Sequence, residues 1–284
     1  MYIALILIII ILVIKIYVHY ENLNLEVTHY TIHSKDIPMA FRGLRFVVLS
    51  DLHNNSFGKD NVRLLDEIDK VNPEFIIVAG DMIIGNVLND YSIVLSLLSN
   101  LVDRYPIYYG YGNHEQRVMS GGECYDEHFD DYKDSLQRLG VHFLNNEHIN
   151  IYQDTITITG LQIGAEYFNK RKQPKFTTEY LQKLVEISDN QCYNILIAHN
   201  PVYFKNYMEC GADLILSGHI HGGIIRLPFA RGFISPQYKF FPKYDAGRFE
   251  ENGKIMLVSR GLGMHTIKIR MFNRPELMVV TLER

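Results

Sequence analysis

Residues 44–53 read Leu44-Arg45-Phe46-Val47-Val48-Leu49-Ser50-Asp51-Leu52-His53, an apolar and β-branched run that ends in Asp-x-His. Such a run predicts a strand covered on both faces, with Asp51 and His53 at its C-terminal end. In an extended segment, positions two apart point the same way, so both side chains are expected to reach one ion. The pattern recurs along the chain. Phe75-Ile76-Ile77-Val78-Ala79 precedes Gly80-Asp81, and Ile107-Tyr108-Tyr109 precedes Gly112-Asn113-His114-Glu115. Ile195-Leu196-Ile197-Ala198 precedes His199-Asn200, and Leu214-Ile215-Leu216 precedes Gly218-His219-Ile220-His221. These islands bring Asp51, His53, Asp81, Asn113, His199, His219 and His221, with no Cys among them. Oxygen and imidazole donors of this kind suit divalent metals, and so many of them suit a pair better than a single ion.

Between the first two strands, residues 61–71 carry apolar side chains at helical spacing, and residues 92–102 repeat it. Asp51, Asp81 and Asn113 are thus separated by roughly the 30 residues of one βαβ unit. Crossovers of that kind bring successive strand ends to one edge of a sheet, where ligands bind in open α/β proteins. The residues alone therefore describe an α/β sheet protein with a polar cluster along one edge.

The order and spacing of Asp-x-His, Gly-Asp, Gly-Asn-His-Glu, a lone His and Gly-His-x-His resemble those of the calcineurin-like metallophosphoesterases, from about Leu44 onward. Each element is weak by itself, and their joint occurrence is specific. The resemblance, to the membrane-anchored bacterial phosphodiesterase type, implies a two-sheet sandwich flanked by helices (αββα). It implies two divalent ions of the Mn, Fe or Zn type. Asp51, His53 and His221 would hold one, Asn113, His199 and His219 the other, and the two oxygens of Asp81 would bridge them at about 3.5–4 Å. With one bridging hydroxide the site would keep a net charge of about +1 and attract a phosphate ester. His114 resembles the family's proton-handling histidine beside the leaving group. The acidic residue that the family often carries three positions after the bridging Asp is Ile84 here. Glu115 has two readings: it orients a neighbouring His, or it is a helix-start acid facing backbone amides.

Residues 1–18 are apolar apart from Lys15, with Ile and Leu dominant. That length lies at the short end of a membrane span, and Lys15 can snorkel to the headgroups. A cleaved signal peptide would carry a basic n-region and a small-residue cleavage site, and neither is visible. The expected organisation is an anchor over residues 1–19, a juxtamembrane linker and lead-in strand over 20–43, and a catalytic domain over 44–284. Lys15, Lys35, Arg42 and Arg45 follow the span, which favours a cytoplasmic domain by the positive-inside rule. Only Lys15 is close to the span, and resemblance to anchored, envelope-facing bacterial proteins leans toward the outer face.

The 284 residues carry a net charge of −4, with no Lys/Arg cluster of the size that tracks a phosphate backbone. A long nucleic acid is therefore a poor substrate. Cys124, Cys192 and Cys210 lie outside every motif and are expected as ordinary thiols. Residues 227–244 read LPFARGFISPQYKFFPKY. Phe229, Phe233, Tyr238, Phe240, Phe241 and Tyr244, interleaved with Arg231, Lys239 and Lys243, suggest either a loop packed on the core or a rim that meets the bilayer. Under the second reading the substrate is a lipid-linked phosphodiester or pyrophosphate. Arg260 and His265 flank a Gly-rich turn after Lys254-Ile255-Met256-Leu257-Val258. Arg260 either reaches a substrate phosphate or pairs with a carboxylate, and Arg270, Arg274 and Glu276 are expected as solvated charges. The competing functional class is a metal-binding scaffold of the same fold that holds a protein partner.

Overall fold

The apolar run at residues 45–49 forms a strand, and two sheets are built around it and its repeats. The computed structural model describes residues 2–86, 90–120, 124–169, 173–185, 192–226, 232–234, 240–264 and 269–284. In chain order the elements are α1 (Tyr2–Leu23), β1 (Glu26–His33), β2 (Arg45–Leu49), α2 (Val62–Val71), β3 (Ile76–Ala79), α3 (Ser92–Val102), β4 (Ile107–Gly110), α4 (Asn113–Met119), α5 (His128–Leu139) and β5 (His142–Leu144). There follow β6 (Glu147–Ile151), β7 (Ile156–Leu161), α6 (Thr178–Leu184), β8 (Tyr193–Ala198), α7 (Phe204–Glu209), β9 (Leu214–Ser217), β10 (Ile225–Arg226), β11 (Gly232–Ile234), β12 (Gly247–Glu251), β13 (Lys254–Val258) and β14 (Glu276–Glu283).

Among the described residues, one six-stranded sheet runs β1-β14-β2-β3-β4-β5 and a second runs β12-β13-β9-β8-β7-β6. The strands that carry the polar islands, β2 to β4 in one sheet and β8 and β9 in the other, run parallel to their neighbours in those blocks. The last strand, β14, lies between the first two, parallel to β1 and antiparallel to β2.

Period-two alternation makes the layers. Phe46 and Val48 of β2 point into a core shared with Ile158, Ile195, Ile197, Leu214 and Leu257 of the other sheet. Val47 and Leu49 point the opposite way, onto Leu64 and Ile68 of α2 and Val94 and Leu97 of α3. The outer face of the second sheet, with Leu196, Ile215 and Met256, is covered by Leu181 of α6 and Phe204 and Tyr207 of α7. The result is the expected αββα sandwich, and the spacings at 61–71 and 92–102 are α2 and α3.

α1 is long and apolar enough to cross a membrane by length and composition. Residues 2–16 of it are exposed, so its apolar surface finds no partner in the domain. Only the last turns of α1 dock. Glu21 is buried and accepts from the backbone N–H of Asn273 at 3.1 Å and from Arg274 Nε at 3.0 Å. Tyr17 packs on Phe272 in a tilted arrangement, with ring centroids 5.4 Å apart.

The segment after the last motif divides. Tyr244 is buried against Phe204 and Phe249, as a core-packed loop would have it. Phe240 and Phe241 are 65% and 58% exposed, while Phe233 packs against both. Single bridges join Ile234 to Phe240 and Ile225 to Met271, which ties this region to the base of α1. Phe229, Arg231, Tyr238, Lys239 and His265 lie outside the described residues.

Two expectations about charges are corrected. Arg270 is 1% exposed and Glu276 is equally buried: Arg270 donates to the carbonyls of Asn273, Gly261 and Gly263, and Glu276 accepts from Tyr30 and from the backbone N–H of Arg260. Arg274 pairs with Glu21. Arg260 takes the carboxylate-paired arrangement, reaching Glu26 at 3.1 Å and Glu276 at 3.3 Å.

Candidate metal centre

β2, β3, β4, β8 and β9 end at one edge of the sandwich, and each releases its polar island there. Asp51, His53 and His221 place one donor atom each within 4.8 Å of one another, and so do Asp81, His199 and His219. Asp51 and His53 do not converge through an extended backbone. Asp51, His53, Asp81, His219 and His221 all have positive φ, between 47° and 70°. The chain turns left-handed as it leaves β2, β3 and β9, which Asp and His tolerate better than most residues. Two glycines permit the close approach of the turns. Gly80 has φ +88°, and a Cβ there would lie 2.5 Å from Gly112 N; a Cβ at Gly112 would lie 2.2 Å from Asp81 Oδ1.

Asp81 stands between the two groups, but one of its oxygens is engaged elsewhere. Oδ1 accepts from the backbone N–H of His114 at 2.8 Å. Oδ2 faces both groups, 3.0 Å from His199 Nε2 and 4.0 Å from His53 Nε2. Oδ2 is thus the oxygen that would be offered to both groups, while Oδ1 is held by the main chain. Asp51 is arranged similarly. Ser50 Oγ donates to Oδ2 at 2.5 Å, and Oδ1 lies 3.3 Å from His221 Nε2.

The imidazoles are sorted by their second nitrogens. Nδ1 faces a backbone carbonyl in His53 (Ile83 O, 3.2 Å), His199 (Ala79 O, 2.7 Å) and His221 (Gly263 O, 3.0 Å). Nδ1–H donates to each carbonyl, which leaves Nε2 with a lone pair directed into the site. His114 is reversed. Its Nδ1 accepts from the Gly85 backbone N–H at 2.8 Å, so Nε2 carries the proton, 3.9 Å from Asp81 Oδ2. Although His114 lies near enough to His53 and Asp81 to form a third donor group, that tautomer removes its lone pair from metal binding.

These residues fit a divalent metal on two further grounds. Asn113 Oδ1 is buried without a hydrogen-bond partner, which is unusual unless a ligand completes it. The charge balance also calls for a cation. Burial pushes His199 toward neutrality, but Asp81 and Asp51 outweigh it, and its pKa is pushed up to about 10. Burial likewise opposes ionisation of Asp81, yet His199, His114 and His53 hold it well below the usual carboxylate range. Asp51 is raised by burial and by Asp81, against the pull of His199.

Glu115 takes the helix-start role. Its carboxylate accepts from the backbone N–H groups of Asp81, Met82 and Gly112 and from Tyr109 Oη, at 2.8 to 2.9 Å. It thereby joins the β3 and β4 turns. Ser50, Gly263 and Asn273 were not recognisable from sequence. Asn273 Nδ2 donates to His221 O at 2.8 Å and to Gly223 O at 2.7 Å. Gly263 serves through a main-chain atom and Asn273 through contacts remote in sequence, so neither leaves a local pattern.

Residues 44–223 match the family model described as calcineurin-like phosphoesterase. The chain is similar to the uncharacterized metallophosphoesterase YkuE of Bacillus subtilis strain 168, at 28% identity over 91% of this chain and 86% of that protein. An uncharacterized metallophosphoesterase of Aquifex aeolicus is 27% identical over 94% of this chain and 95% of its own. A transmembrane protein with metallophosphoesterase domain from Danio rerio is 24% identical over 87% of this chain and 55% of its own length.

Proposed function

The chain belongs to the calcineurin-like phosphoesterase family and is a metal-dependent phosphoric ester hydrolase, and from that premise we propose a membrane-anchored enzyme that uses two divalent ions to cleave a phosphodiester or pyrophosphate bond. Asp51, His53 and His221 hold one ion, Asn113, His199 and His219 the other, and Asp81 is shared. Ions of the Mn, Fe or Zn type bound there supply positive charge for the phosphate oxygens and activate water near neutral pH.

The observation that carries this reading is the opposed tautomer of His114. The Gly85 N–H holds the His114 proton on Nε2, where it can pass to the departing alkoxide. The three imidazoles whose Nδ1 faces a carbonyl present lone pairs instead. Metal analysis and hydrolysis of an aryl phosphodiester, compared with Asp81→Ala and His114→Ala, test the proposal. Protein that binds metal and turns over no ester supports a scaffold that holds a protein partner.

A lipid-linked substrate is favoured by the exposed rings of Phe240 and Phe241 and by that of Phe272, which packs on Tyr17 of α1. α1 anchors the protein, with the catalytic domain on the outer face. Proteolysis in intact against permeabilised cells tests the side; protection of the domain in intact cells reverses it. Removing Phe240 and Phe241 reduces turnover of a lipid substrate more than that of a small diester, and equal losses would remove the lipid reading.

A further inference from the structure

A cavity of about 200 Å³ lies beside His53 and is closed on another side by Asn22 and Leu23, the end of α1. Arg63 and Arg270 line it, together with Asn54 and Ser56. Arg270 is buried with no carboxylate in hydrogen-bond contact among the described residues, although Asp51, Glu276 and Glu21 lie near enough to act on its charge; its guanidinium donates to the backbone carbonyls of Asn273, Gly261 and Gly263. Three of its five N–H donors are used, and no acceptor that carries charge meets it among the described residues. A guanidinium removed from water and given only neutral acceptors is costly to fold around. Joining three carbonyls does not by itself require a full positive charge. Asn54 Oδ1, on the same wall, is buried without a hydrogen-bond partner. Arg63 is exposed and adds a second cation.

Gly263 O, which accepts from Arg270 Nη2 at 2.9 Å, also faces His221 Nδ1 at 3.0 Å. The guanidinium is thereby fixed relative to a metal-binding imidazole.

We propose that the cavity between His53 and the end of α1 is a subsite for a second anionic group of the substrate, a phosphate separated by a short polar linker from the one that is cleaved. This rests on the phosphoester reading and narrows it. The volume admits a small polyol phosphate, Arg270 and Arg63 meet the anion, and Asn54 accepts from a linker hydroxyl. The contribution of α1 to the wall puts the subsite at the membrane surface if the span is inserted. The bisphosphate can therefore belong to a lipid headgroup or to a soluble ester.

The test is binding to the full-length chain in detergent, loaded with Mn²⁺ and followed by titration calorimetry. Methyl phosphate reads the metal centre alone, and glycerol 1,3-bisphosphate reads both positions. The bisphosphate should bind at least tenfold tighter than methyl phosphate. That advantage should fall at least threefold in Arg63→Gln and approach unity in Arg270→Gln. Arg270→Lys, which keeps the charge but loses the planar fork, should retain only part of it. Should Arg270→Gln fail to fold, Arg63→Gln and Arg270→Lys carry the comparison. No advantage in the wild type, or an advantage that survives in both of those variants, overturns the subsite. Failure of methyl phosphate to bind overturns the two-metal reading instead, since the arginine dependence is read separately. A short-chain diacyl lipid with the same bisphosphate headgroup decides the source: tighter binding assigns the anion to a membrane lipid, and equal binding assigns it to a soluble ester.

Discussion

The backbone N–H of Gly85 donates to Nδ1 of His114 at 2.8 Å, and this one contact separates His114 from the imidazoles of His53, His199 and His221. It holds the proton on the nitrogen that faces Asp81. His114→Ala should retain both metals and lose about 100- to 10,000-fold in kcat on esters with poor leaving groups. Across a series of aryl diesters, the loss should shrink as the leaving group becomes more acidic, since less proton donation is needed. A loss that stays constant across the series would show that His114 does not act on the leaving group.

Stability of the metal-free protein should depend on pH in a defined direction. His199 is held at about 10 against an ordinary 6.5, so its folded form binds the proton more tightly than the unfolded chain. That contribution is complete below pH 6.5 and disappears as pH rises toward 10. Asp81, held below its ordinary 3.8, contributes above that value and fades as pH falls further. The Tm of metal-stripped protein should therefore decline from neutral to alkaline pH. Metal-loaded protein, with a neutral His199 as ligand, should lack that decline.

Glu115 accepts four hydrogen bonds within a buried turn, three of them from main-chain N–H groups. Glu115→Gln sets an N–H donor against another donor and removes the charge. The expected cost is about 2–3 kcal/mol, read as a Tm lowered by roughly 4–12 °C. An unchanged Tm would mean that the carboxylate is not what joins the two turns.

Asn273→Ala should weaken metal binding without removing a ligand. The amide holds the carbonyls of His221 and Gly223, and loss of such supporting contacts typically costs about 10- to 100-fold in metal affinity. Mn²⁺ titration should show one class of site weakened and the other retained. Equal affinity for both ions in wild type and variant would count against a supporting role.

The strands were legible because each is a short apolar run ending in a polar island, and the run at 45–49 forms β2 as its pattern requires. α2 and α3 follow their 3.6-residue periodicity. The gathering of Asp51, His53, Asp81, Asn113, His199, His219 and His221 followed from strand ends sharing one edge. The backbone route was not legible, since left-handed turns at Asp51 and His53 leave no signature beyond residue types that tolerate them. The burial of Arg270 was not legible because its partners are main-chain carbonyls, which any residue supplies, and that of Glu276 because it depends on Tyr30 and on the backbone of Arg260. The pairing of Arg274 with Glu21 was not legible either, since the two are more than 250 residues apart.

The place of β14 has a consequence for folding. A strand from residues 276–283 is inserted between strands from residues 26–33 and 45–49, so the first sheet is completed only when segments from distant parts of the chain meet. Until that strand is in place, β1 and one flank of β2 have no neighbour on that side, and closing so long a loop is slow beside the more local pairing of β2 with β3.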